Sequence, residues 1–598
     1  MAGMRSDAAV PSHRPHGLAR VTGRRRWVIP AALGATAIVG AGVLVVAFNA
    51  SGAATARKCS GPTQNFTVVT SAQVFPTVEG LARKWNATGP TVGGHCAAAT
   101  VVRKESSEVA AALGSNWDEA RDGTRPDVWL ADSSLWLALA ASRPDAKTML
   151  AANPPSVASS PVVLALRKPL AQALGWPQKP FGWEQGFGAF VKPETWAQIG
   201  HPEWASLRIG LTDPTSSTAG LESVVSLLDY DGDGTLSDAE LTGGLGFTQA
   251  LGPLAPDTKT FFDEQAGGSS SIAAFPAVER DVAAYDKANG NAPLVPVYPT
   301  TGLMVADYPY TTLNASWVDS TRKAAAGLFQ QYLQGADARK AFSADGFRAP
   351  DRTVRDAPLL ATDLGFKESI GTPRAQPTVE GLNQIVTQWT ALQRQSNILT
   401  VVDTSGSMND PVPGTPMTRL QLLQQTASAG FSLLTNRTNI ALWEFSSQLT
   451  PTTDYRELVP YGPLPAPIGN VPRLKALLGA IAGLKANGGT ALYNTAYASW
   501  KTMQSRWQPN ATNAVILITD GKDEFATNGM SRQDLMDRLT RESLPDKPTI
   551  IIGIAVGPEA DADALTEMSK ITGGRTFVAR DPAAAVQTLV LAFAGRIH

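Results

Sequence analysis

The chain has 598 residues, of which 43% are hydrophobic and 17% are charged. This length exceeds a single hydrophobic core, and the composition is that of a globular protein with several domains. A formal net charge of −1 gives no electrostatic reason to expect a nucleic-acid partner. The five histidines include His13, His16 and the terminal His598, which leaves almost no material for a histidine-based catalytic triad or zinc site.

An apolar, uncharged segment at 27–48 is long enough to cross a bilayer as a helix. Six arginines and one acidic residue precede it, and only Arg57 and Lys58 follow closely. Because basic flanks stay in the cytoplasm, we predict a cytoplasmic tail at 1–26, a transmembrane signal anchor at 27–48 and an extracytoplasmic remainder. The alternative is a signal peptide cleaved after Ala56, which would make the protein secreted.

The two cysteines, Cys59 and Cys96, each precede a predicted strand, at 66–70 and 98–102, and a predicted helix at about 74–85 separates the strands. Parallel neighbours in such a βαβ unit begin at the same edge of the sheet, so both cysteines should meet there. An oxidising compartment then favours a disulfide. Two free buried thiols are the alternative.

Between residues 60 and 360, short apolar runs alternate with helical stretches, which is the pattern of an α/β domain. Several of the predicted strands lead into or out of turns rich in serine and threonine. Ligands of open α/β sheets bind beyond the carboxyl ends of strands, near helix N-termini. The serines that we select as candidates for a ligand cleft are Ser71, Ser133, Ser160 and Ser216. The alternative for each is helix capping, which requires no ligand.

The order of these features resembles the type II periplasmic solute-binding proteins, some of which bind oxyanions. The resemblance is carried by PDVWLADS at 126–133, SSPVVLA at 159–165, DPTSSTAG at 213–220, the return segment 298–310 and the closing segment 346–348. It implies a two-lobed, periplasmic-binding-protein-like domain that holds a small solute or oxyanion between its lobes.

The stretch DYDGDGTLSDAE at 229–240 fits the twelve-residue EF-hand calcium loop. Acidic residues stand at positions one, three and five, a glycine at six permits the sharp turn, and a glutamate at twelve can bind in bidentate fashion. The predicted Ca²⁺ ligands are Asp229, Asp231, Asp233, Thr235, Ser237 and Glu240. A single loop of this kind predicts a structural staple rather than a paired sensor. An acidic surface turn is the alternative.

A polar link and a predicted helix at about 379–393, together 361–395, lead into a predicted strand at 397–403, which runs into DTSGS at 403–407. A Gly-Gly-Thr sequence ends at Thr490, and a further strand ends at Asp520. Helical stretches between the strands predict a doubly wound sheet, which brings these loops to one edge. Hard oxygen ligands with only two carboxylates suit Mg²⁺, or Mn²⁺, that retains waters.

This arrangement resembles the metal-ion-dependent adhesion site of von Willebrand factor A (VWA) domains and integrin I domains. The matching positions are Asp403, Ser405, Ser407, Thr490 and Asp520. The resemblance implies a Rossmann-like VWA domain at 396–598 in which these residues hold the ion. It also implies a partner, either a protein or a cell-surface ligand, whose carboxylate can occupy a coordination position left to water.

The sequence therefore predicts a membrane-anchored, extracytoplasmic binding or adhesion protein that recognises a partner through a VWA metal site. The solute-binding-like half would hold a small molecule or act as a second recognition surface. The alternative is a substrate-binding receptor that delivers a solute to a transport system. No nucleophile motif accompanies the scarce histidines, so we do not expect an enzyme.

Overall fold

The computed structural model describes residues 59–579, apart from 180–187, 191, 193, 230–231, 235, 238–239, 241–243, 245–246, 249–250, 268–270, 291–292, 301, 414, 433, 525–528 and 558. The predicted basic tail and the transmembrane helix at 27–48 lie outside the described residues. No helix among those that the structure describes is long and apolar enough to cross a membrane.

The first half of the described chain contains two β-sheets covered by helices. Its strands are β1 (Thr63–Thr70), β2 (Thr91–Val92), β3 (His95–Arg103), β4 (Val128–Leu130), β5 (Ser160–Arg167), β6 (Arg208–Thr212), β7 (Leu251–Ala255), β8 (Ile272–Val278), β9 (Leu294–Val297), β10 (Val305–Ala306) and β11 (Tyr310–Thr312). Its helices are α1 (Phe75–Ala87), α2 (Ser106–Leu113), α3 (Glu119–Asp122), α4 (Ser134–Ala141), α5 (Pro144–Met149), α6 (Lys168–Ala173), α7 (Glu194–Gln198), α8 (Thr218–Leu228), α9 (Thr258–Ala266), α10 (Glu279–Asn289), α11 (Ser320–Leu333) and α12 (Ala336–Ala344).

The two sheets form the two lobes that the sequence predicts. The first has the strand order β11-β4-β1-β3-β2, in which β1 pairs in parallel with β3 and β4. The second has the order β10-β5-β8-β6-β7, with β9 also paired to β5. The chain leaves the first sheet after β4 and returns to it as β11, so the first lobe is built from two separate segments and the second lobe from the segment between them.

The predicted disulfide is confirmed. Cys59 and Cys96 are bonded, with their Cα atoms 5.6 Å apart. The register of the parallel pair explains this, because Thr63 at the start of β1 lies opposite Cys96 near the start of β3. Both strands begin slightly earlier than predicted, and Cys96 lies within its strand rather than before it.

The linker ends in α13 (Val379–Gln393), and one residue later β12 (Gln395–Asp403) begins the second half. The remaining strands are β13 (Thr438–Phe445), β14 (Tyr455–Pro463), β15 (Ala511–Thr519), β16 (Ile550–Val556) and β17 (Thr576–Ala579). The remaining helices are α14 (Arg419–Ser432), α15 (Arg473–Ala482), α16 (Leu492–Ser505), α17 (Arg532–Glu542) and α18 (Ala562–Thr572).

These strands form one sheet in the order β14-β13-β12-β15-β16-β17, parallel except for the edge strand β14. Side chains alternate along β12, so Ile398 and Val402 pack into one apolar core while Leu399 and Val401 pack into the core on the opposite face. The sheet is therefore doubly wound, as the sequence predicts. Its central strands β12 and β15 end at Asp403 and Thr519, which places the predicted metal ligands at one edge.

Candidate functional site

The first candidate site lies at the carboxyl ends of β12 and β15 and is named the metal edge, defined by Asp403, Ser405, Ser407, Thr490 and Asp520. Asp403 is fully buried. One of its carboxylate oxygens accepts a hydrogen bond from the backbone N–H of Ser405 at 2.7 Å, and the other accepts one from the hydroxyl of Thr519. The carboxylate is thus held in a fixed orientation by the turn that follows β12 and by the last residue of β15.

The hydroxyls of the metal edge converge on one another. Ser405 Oγ lies 3.1 Å from Ser407 Oγ, and Ser407 Oγ donates to Asp520 Oδ1 at 2.8 Å. The buried Thr490 lies next to the same loop. It approaches Gly521 so closely that a Cβ atom added to this glycine would lie 2.7 Å from Thr490 Oγ1. The structure therefore brings all five predicted positions to one place.

Backbone hydrogen bonds fix the loops that carry these groups. Gly406 N donates to Gly488 O at 2.8 Å, and Asn487 N donates to Thr404 O at 2.7 Å. Gly488 has φ +82°, a left-handed conformation that favours glycine. The Gly-Gly-Thr sequence is thereby clamped onto the Asp-x-Ser-x-Ser turn.

Burial raises the pKa of Asp403 to about 7, and the hydrogen bonds from Thr519 and Ser405 offset only part of this effect. A carboxylate that is costly to ionise in isolation gains from a nearby cation. Gly406 is exposed and Ser407 is half-buried, so the edge reaches solvent. Two carboxylates and three hydroxyls form a hard donor set that fits Mg²⁺ or Mn²⁺.

One residue of this site was missed from the sequence. Arg419, at the start of α14, is buried and donates through Nη1 to Asp520 Oδ2 at 2.8 Å. Its other terminal nitrogen forms an ion pair with Glu559. One carboxylate oxygen of Asp520 therefore accepts a hydrogen bond from Ser407, and the other accepts one from the guanidinium of Arg419. Nothing in the sequence around position 419 distinguishes this arginine from those on exposed helix faces.

The second candidate site is the predicted calcium loop. Asp229 Oδ1 accepts from the N–H groups of Gly232 and Gly234 at 3.1 and 3.4 Å, and both glycines have positive φ. Glu240 accepts from Ser237 N and Oγ at 2.8 and 2.9 Å. Asp231 and Thr235 lie outside the described residues. Within the described part, no group of three or more His, Cys, Asp or Glu side chains could hold a metal, so calcium binding stays a prediction.

A basic residue from the linker contacts this loop. Arg374 Nη2 lies 3.7 Å from Asp229 Oδ1, and both side chains are nearly inaccessible to solvent. Burial raises the pKa of Asp229, and the charge of Arg374 lowers it in part. The loop therefore packs against the link to the second half, which the sequence pattern did not indicate.

The third candidate site is the cleft between the two lobes. Ser71 donates its hydroxyl to Asp132, and Ser133 caps α4 by accepting from Leu135 N at 3.2 Å. The other two serines make different contacts. Ser160 Oγ accepts from Arg280 N at 3.1 Å, and the exposed Ser216 donates within its own turn and to Pro256 O.

The side chain at the centre of the cleft is Asp132, which was not selected from the sequence. Burial raises its pKa to about 6, against the opposing effect of hydrogen bonds from Ser71, Ser106 and Thr218. Glu222 is also fully buried, and neither of its carboxyl oxygens has a hydrogen-bond partner among the described residues. Burial raises the pKa of Glu222 well above its usual value, more strongly than the nearby Ser133 hydroxyl lowers it.

Comparison with known proteins agrees with this architecture. Residues 66–348 match the family model described as bacterial extracellular solute-binding protein, and residues 397–591 match the von Willebrand factor type A domain. The "Uncharacterized protein MT1884" of Mycobacterium tuberculosis (strain CDC 1551 / Oshkosh) is 24% identical over 575 residues, which cover 91% of this chain and 79% of the relative. Rv1836c of strain H37Rv gives the same values.

Two solved structures resemble separate parts of the chain. A von Willebrand factor type A protein from Catenulispora acidiphila covers 34% of this chain and 42% of its own, at 22% identity and a TM-score of 0.27. The periplasmic binding protein AfuA from Actinobacillus pleuropneumoniae covers 55% of this chain and 98% of its own, at 14% identity and a TM-score of 0.39. The assignment rests on the two family models, by which this chain combines a bacterial solute-binding domain with a C-terminal VWA domain.

Proposed function

We propose that this chain is an extracytoplasmic, membrane-anchored binding protein that captures a protein or cell-surface partner through a divalent ion at the metal edge. The observation that carries the proposal is the convergence of five oxygen-bearing side chains at the ends of β12 and β15, in the order typical of a VWA adhesion site. Both matched families are binding domains, which also supports a binding rather than an enzymatic role.

The donor set fits Mg²⁺ or Mn²⁺, and the five residues of the metal edge would hold it. A bound ion supplies a coordination position that a carboxylate of the partner can take. The residues of the chain orient the two carboxylates and keep the site open to the partner. Thr519 orients Asp403, Ser407 and Arg419 orient Asp520, and the exposed Gly406 leaves room for an approaching partner.

The location is inferred from the arginines that precede segment 27–48, which favour a cytoplasmic N-terminus. A reporter that is active only outside the cytoplasm, fused after His598, should therefore be active. The same fusion with Arg24, Arg25 and Arg26 changed to glutamate should lose much of that activity. Activity of a cytoplasm-specific reporter on the unaltered chain would contradict the topology.

The second proposed ion is Ca²⁺ at loop 229–240, where it would act as a staple of the solute-binding domain. Because an ion bound only by the folded state stabilises that state, Ca²⁺ should raise the thermal midpoint of the full chain. Glu240→Gln removes one charge from the bidentate position and should abolish most of the rise. An unchanged midpoint of the wild-type chain in Ca²⁺ would show that the loop is an ordinary acidic turn.

The main proposal is tested first by ion binding and then by capture. Asp403→Ala should abolish Mg²⁺ binding in calorimetry and leave the circular dichroism spectrum unchanged. Capture of partner proteins from solubilised membranes should be lost in Asp403→Ala and in EDTA, and Mg²⁺ or Mn²⁺ should restore it only to the wild type. The matched control is Asp537→Ala, which removes an exposed carboxylate on α17.

A second candidate function is a substrate-binding receptor of a transport system, which the solute-binding family match at 66–348 favours. The two functions differ in what the ion does. Undiminished capture by a folded Asp403→Ala chain would make the ion structural and the receptor role the leading one. Release and uptake of a radiolabelled solute by the wild type would support the receptor directly.

A further inference from the structure

The carboxylate of Asp132 lies where this type of domain offers its anion-binding groups. Asp132 follows β4, and its oxygens accept hydrogen bonds from Ser71 after β1, from Ser106 at 3.0 Å and from Thr218 at 3.1 Å. Ser106 and Thr218 are the first residues of α2 and α8. Hydroxyls at strand ends and helix N-termini are the groups that bind an anionic ligand. In this cleft, the anion that these groups bind is the carboxylate of Asp132, which belongs to the chain itself.

These hydrogen bonds also join the two lobes, because Thr218 belongs to the second lobe and Asp132 to the first. Further side chains cross the same boundary. The additional interlobe hydrogen bonds are Trp136 Nε1 to Thr218 Oγ1 at 2.8 Å, Ser107 Oγ to Ser216 O at 3.2 Å and Gln73 Nε2 to Asp281 Oδ2 at 2.7 Å. The lobes are thus connected through their own side chains.

The carboxyl groups in the cleft disfavour a second anion. Burial raises the pKa of Glu222 most strongly, and the nearby carboxyl groups of Asp307 and Asp132 raise it further. Within the described part of the chain, none of the three forms an ion pair with a basic side chain. An incoming oxyanion would have to displace Asp132 and remain beside two further carboxyl groups.

Helix α13 packs across both lobes. Its apolar stripe consists of Leu382, Ile385, Trp389 and Leu392, each no more than 3% exposed. The helix contacts α4 of the first lobe and α8 of the second, and these side chains belong to the same apolar core as residues of both. A helix that buries one continuous stripe against two bodies holds those bodies in one arrangement.

The start of this helix is attached to the second lobe as well. Arg374 donates to Val225 O at 3.3 Å and lies beside Asp229 at the end of α8. Gly381 approaches the calcium loop so closely that an added Cβ would lie 2.1 Å from Gly234 O. Any side chain at position 381 would therefore push α13 away from the loop.

We propose that the solute-binding domain is held closed by its own chain, with Asp132 in the place of an anionic ligand and α13 packed across the lobes. The domain then serves as a fixed platform and does not exchange solute. Only Arg394 separates α13 from β12, so the same helix fixes the strand that carries Asp403. This proposal does not depend on whether the metal edge binds an ion.

The experiment measures the distance between the lobes in the full chain. Spin labels are attached to cysteines introduced at the exposed Lys84 on α1 and the exposed Lys259 on α9, since the native cysteines are paired. Double electron–electron resonance should give one narrow distance distribution for the wild-type background. Millimolar phosphate or sulfate should leave that distribution unchanged. Two populations, or a shift to shorter distance with either anion, would overturn the proposal.

Two variants separate the roles of the helix and the carboxylate. Trp389→Ala should add a population at longer distance, whereas Thr390→Ala, on the exposed face of the same helix, should not. Thr218→Val removes one hydroxyl without a cavity and should increase amide exchange in α4 and α8. If Trp389→Ala retains native circular dichroism and the wild-type distance, α13 does not hold the lobes and the proposal is wrong.

Discussion

The metal edge and the interlobe cleft use the same kinds of residue in the same place in a sheet, and they differ in how those residues are satisfied. Both put serine and threonine hydroxyls beside aspartates at the carboxyl ends of parallel strands. In the cleft, three hydroxyls donate to Asp132. At the metal edge, Ser405 and Ser407 bond to each other, and the chain between them is exposed.

What covers the strand ends decides between the two outcomes. The cleft is closed by the opposite lobe and crossed by α13, and the carboxylate of Asp132 finds its partners within the chain. The metal edge has solvent above Gly406, and its carboxylates are balanced by one guanidinium from Arg419. Serine and aspartate residues at the ends of strands therefore indicate where a polar site lies. Whether a ligand can enter that site depends on which parts of the chain cover the strand ends.

The largest expected effect on stability comes from a variant of Arg348, which tests whether the two regions are independent. Arg348 donates two hydrogen bonds to Glu279, at 2.6 and 2.7 Å, and both side chains are fully buried. Arg348→Ala leaves the Glu279 charge without its partner and should cost about 3–5 kcal/mol of unfolding free energy. Urea titration should show the same loss in Mg²⁺ and in EDTA, because this pair is remote from the metal edge.

The control for that measurement is Arg355→Ala, which breaks an exposed pair with Asp351 and should change the urea midpoint little. Asp403→Asn should behave in the opposite way to Arg348→Ala, with a loss of stability that is seen in Mg²⁺ and absent in EDTA. A loss for Arg348→Ala that depends on Mg²⁺ would show that the two regions are coupled and would break the contrast.

Local patterns in the sequence were sufficient to place Asp403, Ser405 and Ser407 at the end of a strand, and the resemblance to VWA domains added Thr490 and Asp520. The apolar run of β12 ends at Asp403, and the spacing of Ser405 and Ser407 follows from one tight turn, so neighbouring residues carry the information. The helix at 379–393 was also predicted with the bounds that the structure shows. Apolar residues recur in it every three or four positions, which is the pattern of a helix with one buried face. The pairing of the cysteines was predicted from the order of the strands.

The contents of the cleft could not be predicted in this way. Asp132 stood beside a selected serine, but its partners come from positions 71, 106 and 218, and no local pattern shows that three such distant hydroxyls meet. Glu222 looks like the polar face of a helix, yet α8 is buried on almost every side. Arg374 lies in a polar link, where a charged side chain is normally solvated, and it packs against Asp229 instead.

The next effect concerns Arg419, which puts a positive charge beside the metal edge. Arg419→Gln keeps a hydrogen-bond donor near Asp520 and removes the charge that opposes a cation. We expect Mg²⁺ to bind several-fold more tightly, on the order of 1 kcal/mol, because Glu559 already offsets part of the charge of the buried guanidinium. Calorimetry should show this change for Arg419→Gln and not for Arg541→Gln, an exposed arginine on α17.

A weaker affinity in Arg419→Gln would mean that the guanidinium chiefly orients Asp520. That result would make the metal edge more similar to the cleft, since its aspartate would depend on an internal partner. Unchanged affinity would show that Glu559, which shares the guanidinium, already neutralises it. Either result would show that the charge of Arg419 does not weaken cation binding at this edge.

The smallest effect is a pH dependence in the cleft, caused by Glu222. Its pKa is raised well above 4.5 by burial, so the folded state holds a proton that the unfolded chain releases. The stability that this proton contributes is present below pH 4.5 and is lost as the pH rises towards the raised pKa. Glu222→Gln cannot ionise, so its urea midpoint should exceed that of the wild type at pH 8 and equal it at pH 4.

The matched control is Glu108→Gln on the exposed face of α2, whose urea midpoint should follow that of the wild type across the same range. The informative contrary result is a Glu222→Gln chain that is less stable than the wild type at pH 8. An ionised Glu222 could stabilise the folded state only if a cation compensated its charge inside the cleft. Since none of the described basic side chains pairs with Glu222, that cation would have to enter from solution, and the closed cleft would then be a cation site.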